Sequence, residues 1–491
     1  MLIELLLTVV LVTFLLCKNI NRLRGLPPGP TPWPFVGNVF QIPMKDFDVK
    51  LNEYREKYGG IFTVWLPLPT VVIADYEMLK RNVVKNGDAF AGRPDTFVMQ
   101  LLVQGNYGLF FMENEWYKVQ RKFTMSVFRS LGVGQAGTQD TISNLCDTFV
   151  SLIEKQEGPF MLRDYLVHSV GNVIHKHLFG FTRSWDEREI FNFHQDINDV
   201  LEHFTSPKTQ LLDMWPLLAY LDKPLQLGIP NTMKANDAIL DNLYQMLREH
   251  EKTINYDEEP TNYLDAYLKE LKQREGGQDE GKDGFTEKQL IVALYDLYSA
   301  GMESIIIVIR FAFIYMLNNP EMQEKIHEEL DRVVGRQRQI VMDDQKRLPY
   351  TCSFLQEVYR LGYVLPVNFL RSTLEEVKCE GYTLPKGLRI ISQWQSPHVD
   401  EHYFADAHKF DPERFSQNGN FLRDEKINPF SMGKRQCPGE QLARMEVFIF
   451  FTTLVQKFSW LPSGSTPPPV RVITSSLRSP LPFLVRAKRR V

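Results

Sequence analysis

The chain has 491 residues, 44% of them hydrophobic and 12% aromatic, ample for a large core. Its net charge of −4 excludes nucleic acid as a bulk partner. Cys17, Cys146, Cys352, Cys379 and Cys437 are widely spaced and odd in number. They form no disulfide framework and fit a reducing compartment.

Leu5 to Cys17 is apolar apart from Thr8 and Thr13. Counted from Met1, it has about the minimum length for a membrane span. Lys18, Arg22 and Arg24 follow at once, which places the rest of the chain in the cytoplasm by the positive-inside rule. A cleaved signal peptide would carry its positive charges before the apolar run. Residues 1–17 are therefore read as an uncleaved signal-anchor. Residues 18–34, with Leu26, Pro27, Pro28, Gly29 and Pro30, read as a basic, Pro-rich linker of stiff extended chain. Residues 35–491 form the body.

Asp46 to Tyr58 predicts a helix stopped by Gly59 and Gly60. Ile61–Trp65 and Thr70–Ala74 predict a hairpin. Phe90 to Leu109, with Gly92, Pro94, Gly105 and Gly108, predicts an irregular stretch. Trp116 to Arg129 predicts a basic, aromatic helix. Gly132 to Gly137 matches G-x-G-x-x-G, but a dinucleotide site needs a strand before the glycines, and a helix pattern stands there. Thr141 to about Gln273 is helical, broken at Pro159, Pro207, Pro216, Pro224 and Pro230. His168, His175 and His177 lack a metal-spaced carboxylate or cysteine partner, so they read as ordinary surface or core residues. Glu270 to Gly284 reads as a charged surface loop.

Thr286 to Asn318 predicts a helix of about nine turns, with Thr286 and Gln289 at capping-box spacing. Ile305 to Ile309 is wholly apolar and predicts burial on all sides. Ala300 and Gly301 allow a close approach to the backbone. Glu303 and Ser304 then place a carboxylate and a hydroxyl where each costs energy unless used. Pro349 to Gly362 predicts a helix on which Glu357 and Arg360 share a face. Short strands follow at 371–373, 381–384 and 388–391, and Leu477 to Phe483 predicts a last hairpin.

Phe430–Gly439 reads as a loop presenting Cys437 at the start of a helix resuming near Glu440. The helix N-terminus and Arg435 would favour a thiolate, and Phe430 can lie against a flat cofactor. One cysteine is a poor zinc site but a complete protein ligand set for a haem iron. Phe, Gly, Arg, Cys and Gly at these spacings arise by chance on the order of once in ten thousand chains of this length.

This stretch resembles the haem-binding signature of the cytochrome P450 family, F-x-x-G-x-R-x-C-x-G, at every fixed position. The resemblance extends over nearly the whole chain, most closely to microsomal, family-two-like members. Ala300 to Ser304 is similar to the family's [AG]-G-x-[DE]-T, with Ser304 where Thr is usual. Glu357 and Arg360 match E-x-x-R, and Pro412 to Phe415 matches P-E-R-F.

The resemblance implies a mostly α fold with small β-sheets, a single large catalytic domain behind the anchor. It implies haem b with Cys437 as axial ligand. Arg121, Arg371 and Arg435 would neutralise the haem propionates. In the family's W-x-x-x-R, Arg121 takes the Arg position, and the aromatic position stays open between Trp116 and Tyr117. Glu303 and Ser304 would relay protons, while Glu357, Arg360 and Arg414 would form a buried structural triad. Leu109, Ala300, Val364, Leu365 and Leu477 would border the substrate cavity.

The implied reaction inserts one oxygen atom of O2 into a lipophilic substrate, whether fatty acid, sterol or xenobiotic. Electrons would come from an NADPH-dependent flavoprotein reductase, with cytochrome b5 as an optional second donor. The implied location is the cytosolic face of the endoplasmic reticulum membrane, through a single-pass anchor in lipid. Two other classes share the ligand: a haem-thiolate isomerase or dehydratase needing no reductase, and a non-catalytic haem sensor.

Overall fold

The computed structural model describes residues 25–34, 36–66, 68–204, 212–213, 215–276, 282–474 and 477–490. The signal-anchor reading of residues 1–17 lies outside them. The chain divides into two compact units. Residues up to Pro94, Pro366–Tyr403 and Ser431–Gln436 make the first; Asp95–Leu365, Phe404–Phe430 and Cys437–Val491 make the second.

The first unit is built on a four-stranded sheet. Ile61–Leu66 and Leu68–Ile73 form the expected hairpin, with Ile61 opposite Ile73. Arg389–Ser392 runs parallel to the second of these, and the two-residue strand Arg371–Ser372 closes the edge. Alternate side chains feed two cores. Val71, Ile73 and Ile390 pack with Trp394, while Val64, Val72 and Ile391 pack with Leu51 and Tyr54. Burial on both faces explains why these strands read as continuous apolar runs. Leu51 and Tyr54 come from the helix Phe47–Tyr58, which Gly59 ends at φ 93°. The Pro-rich segment is seated on the sheet: Thr63 donates from its backbone N to the Pro28 carbonyl (2.9 Å) and from Oγ1 to that of Pro27 (2.8 Å).

The second unit is mostly helical and wraps the central helix Glu287–Asn318. That helix is long and apolar enough to cross a membrane, yet its apolar stretch is buried in protein. Thr286 caps it by accepting from the Gln289 N–H at 3.1 Å. The reciprocal half of the capping box is not made, because the Gln289 amide is spent on both backbone groups of Gly108. The helix Leu162–Phe179 lies closely along it. A Cβ on Gly301 would stand 3.0 Å from Ile174, so the Ala300–Gly301 notch admits a neighbouring helix at Gly301. Glu440–Lys457, whose residues from Met445 to Gln456 are all buried, packs against it as well.

Several local expectations change. Phe97–Val103 forms a helix inside the stretch expected to be irregular, capped by Thr96 Oγ1. Pro216 and Pro230 sit in the first turns of helices instead of breaking them, where a missing N–H costs nothing. Tyr263–Arg274 carries helix into the expected charged loop. The Gly132–Gly137 segment joins Asn114–Ser130 to Ala136–Glu154, helix to helix, with no strand before it. The dinucleotide geometry is therefore absent there. The strand Arg478–Pro480 pairs with Val472–Thr474, upstream of the predicted hairpin.

Candidate active site

Within the second unit, the Cys437 N–H donates to the Phe430 carbonyl at 2.9 Å, closing the loop on itself. The Cys437 sulfur accepts from the Gly439 N–H, and the residue keeps an exposed face. Arg444 of the following helix lies over the Phe430 ring (4.7 Å) and the Tyr359 ring (5.2 Å), fixing the loop's entry. Burial pushes the Cys437 thiol up to about 11, against the opposing pull of the Gly439 N–H and Arg121. The helix-end N–H thus supports the sulfur as expected, Arg121 adds a cation, and desolvation outweighs them until a metal is ligated. A ligated metal must supply the charge that removes the proton.

Glu357, Arg360 and Arg414 are brought together by hydrogen bonds. Glu357 receives Arg360 Nε at 2.6 Å and Nη2 at 2.7 Å, with both side chains fully buried. The Asp411 N–H (2.8 Å) and Arg414 Nε (3.4 Å) complete the carboxylate's partners. Arg360 also donates to the Ala407 and Lys409 carbonyls. The Glu357 helix, Pro349–Leu361, is capped from another helix, a contact sequence reasoning missed. Glu329 accepts the N–H groups of Tyr350 (2.8 Å) and Thr351 (2.9 Å) and the Thr351 hydroxyl (2.7 Å).

On the helix Asn114–Ser130, the Arg121 guanidinium lies 6.0 Å from the Tyr117 ring, and Tyr117 is buried. Trp116 is 41% exposed and packs by Gly284. Tyr117 thus stands beside Arg121.

In the first unit, Arg371 is buried and donates through Nη2 to Ser431 Oγ (3.1 Å) and the Met432 carbonyl (3.2 Å). Arg435 donates through Nε to the Ala91 carbonyl at 2.7 Å. Gly433 has φ 76°, and a Cβ there would stand 2.6 Å from the Val83 carbonyl. Arg371 is thus held by the segment that precedes the cysteine, and Arg435, on that segment, by the Ala91 backbone.

On the central helix, Ala300 is exposed although residues 290–294 and 305–317 are buried. The face it shares with Ser304 therefore borders open space. Ser304 Oγ donates to its own Ala300 carbonyl at 2.8 Å. Glu303 faces another way, into contact with His194 at 2.5 Å. Asp296, about two turns before Glu303, accepts from the N–H groups of Leu109 (2.5 Å) and Phe110 (3.0 Å). Burial pushes its carboxyl up to about 7. Asp296 and Gln289 together fasten the 108–110 segment, and neither role was foreseen. The sequence signal was an acid inside an apolar helix, the same signal that singled out Glu303. Val364 accepts from the Arg478 N–H at 2.6 Å, and Leu109, Val364, Leu365 and Leu477 are all half-buried. His168 and His175 make hydrogen bonds to the backbone of Arg183 and Phe181, as ordinary core side chains do.

The donor set fits a haem. It offers one cysteine sulfur with an open face, an aromatic ring at the loop's start, and an open stretch on a helix bearing a hydroxyl. The cytochrome P450 family model matches residues 27–486. The chain is 66% identical over 490 residues to "Probable cytochrome P450 CYP36A1" of Caenorhabditis elegans, with 99% of each chain covered. It is 33% identical to "Cytochrome P450 2C23" of Rattus norvegicus, covering 89% of this chain and 88% of that one. It is likewise 33% identical to "Cytochrome P450 2J5" of Mus musculus, covering 93% and 90%. On this evidence the chain belongs to the cytochrome P450 family, oxidoreductases of the monooxygenase class that bind haem b through a cysteine thiolate.

Proposed function

We propose that this chain hydroxylates a lipophilic small molecule with electrons from an NADPH-dependent flavoprotein reductase, optionally helped by cytochrome b5. The observation that carries the proposal is the Cys437 loop. It is closed by the Phe430 carbonyl and supported at sulfur by the Gly439 N–H, and it leaves one face open to a metal. Haem held there supplies oxygen activation and electron uptake. Cys437 would give up its proton to ligate the iron, and the Gly439 N–H would temper the charge on sulfur. Arg121, Arg371 and Arg435 would bind the carboxylates of the haem, each as a donor held by contacts within its own unit. Ser304 offers a hydroxyl proton on the open helix face, and Glu303 is the acid behind it. Leu109, Ala300, Val364, Leu365 and Leu477 are uncharged, which suits an apolar substrate.

Exposed Lys118, Lys122 and Arg129 on the helix Asn114–Ser130 support docking of an acidic electron donor. The apolar residues 1–17, followed by Lys18, Arg22 and Arg24, support a single-pass anchor in the endoplasmic reticulum membrane with the body cytosolic. Residues 18–34 would link it to the catalytic domain.

The test is the Soret band of the reduced protein under carbon monoxide. The far-red-shifted band of a thiolate-ligated carbonyl is expected, and its loss in Cys437→Ser. A band at the position of histidine-ligated haem would refute Cys437 as ligand. Product formed only with reductase and NADPH supports hydroxylation; product formed without them would identify an isomerase or dehydratase.

A further inference from the structure

Glu303 is 6% exposed and lies in the most apolar part of the central helix. A carboxylate there needs a partner. That partner is His194, itself 3% exposed, whose Nε2 stands 2.5 Å from Glu303 Oε2. Ser304 is not the partner. Its hydroxyl donates to the Ala300 carbonyl, and consecutive residues of a helix point about 100° apart. His194 comes from the neighbouring helix Glu189–Phe204, one of whose faces is open: Asn192 and Gln195 are exposed and Asn198 is half-buried. Asn198 Nδ2 lies 3.2 Å from both ring nitrogens and donates to the His194 carbonyl at 2.8 Å. The half-buried amide, the imidazole and the buried carboxylate thus run in order from the helix surface to the central helix. Arg310, on the same central helix, interacts electrostatically with Glu303.

We propose that His194 is the proton donor to Glu303, so that protons for oxygen cleavage enter through the Glu189–Phe204 helix. In the step, the His194 Nε2–H bond breaks and an O–H bond forms at Glu303 Oε2. The imidazolium becomes neutral imidazole and the carboxylate a carboxylic acid. His194 then regains a proton from solvent. Imidazole suits this task because its charge changes near neutral pH. The inference rests on the haem-thiolate reading, with Glu303 as the acid behind Ser304.

His194→Gln keeps an N–H donor for Glu303 but cannot carry a proton. In reductase-driven turnover its ratio of product to hydrogen peroxide should fall on the order of tenfold, with a changed solvent isotope effect. Its carbonyl band should stay native. Glu303→Gln should match it, and the double variant should be no worse than either, because one route is cut once. Thermal midpoints of the same four proteins, read from far-ultraviolet circular dichroism, should show the pair coupled in the folded state. A native product ratio and isotope effect in His194→Gln overturn the proposal, even if stability is coupled, and leave a structural staple. If His194→Gln fails to fold, Asn198→Ala takes its place, with a smaller change in the same direction expected and no change overturning the idea. Loss of the thiolate carbonyl band in the unaltered protein would sink the haem-thiolate reading instead.

Discussion

Glu357→Ala removes the counter-charge of a fully buried guanidinium. Four donors converge on that carboxylate: Arg360 Nε and Nη2, the Asp411 N–H and Arg414 Nε. Breaking a buried ion pair from one side costs about 3–5 kcal/mol, because the remaining charge keeps its desolvation penalty. Stranding the Asp411 N–H adds about 1 kcal/mol. At about 2–4 °C per kcal/mol for a large domain, the thermal midpoint should fall by roughly 10 °C or more. The assay is thermal unfolding followed by far-ultraviolet circular dichroism and by haem absorbance, with haem expected to leave first or together with the fold. Arg360→Ala should cost a similar amount, and the double variant no more than either single one, since the second change removes the stranded charge. A midpoint within about 2 °C of the native one, with haem retained, would refute the structural role. Strictly additive single effects would refute the pairing.

Gly433→Ala puts a Cβ into a left-handed conformation and 2.6 Å from the Val83 carbonyl; a cost of about 1–3 kcal/mol and reduced haem occupancy should follow, measured as the midpoint and as haem per protein. Asp296 holds its proton up to about pH 7 when folded but loses it near 3.8 when unfolded, so the folded state binds more protons between those values. Stability therefore falls as pH rises through that window and levels off above it. Asp296→Asn removes this contribution, and its midpoint should gain on the native one as pH climbs from about 4 to about 7; parallel curves would contradict the burial argument. Ser304→Ala should raise the peroxide share of turnover, whereas Ser304→Thr, with a methyl that restricts the rotamer, should lower it. Equal peroxide yields from all three proteins would remove Ser304 from proton delivery.

The ligand loop was legible because its chemistry is local. Phe430, Gly433, Arg435, Cys437 and Gly439 act within ten residues, where backbone turns and one helix start determine the geometry. The central helix was legible from its apolar run and from Thr286 at its start, and Glu357 with Arg360 from their shared face. What tertiary structure decided was the partner of each buried polar group, since a partner can come from any distance along the chain. Gln289 left its own helix cap for Gly108, 181 residues away, and Glu303 met His194, 109 residues away. The Cys437 thiol shows the same division. Sequence placed it at a helix end, whose Gly439 N–H does support the sulfur, whereas the desolvation that opposes this comes from the surrounding packing. Periodicity and motif spacing determine which side chains share a face; only packing determines which of them lose water, and what compensates them.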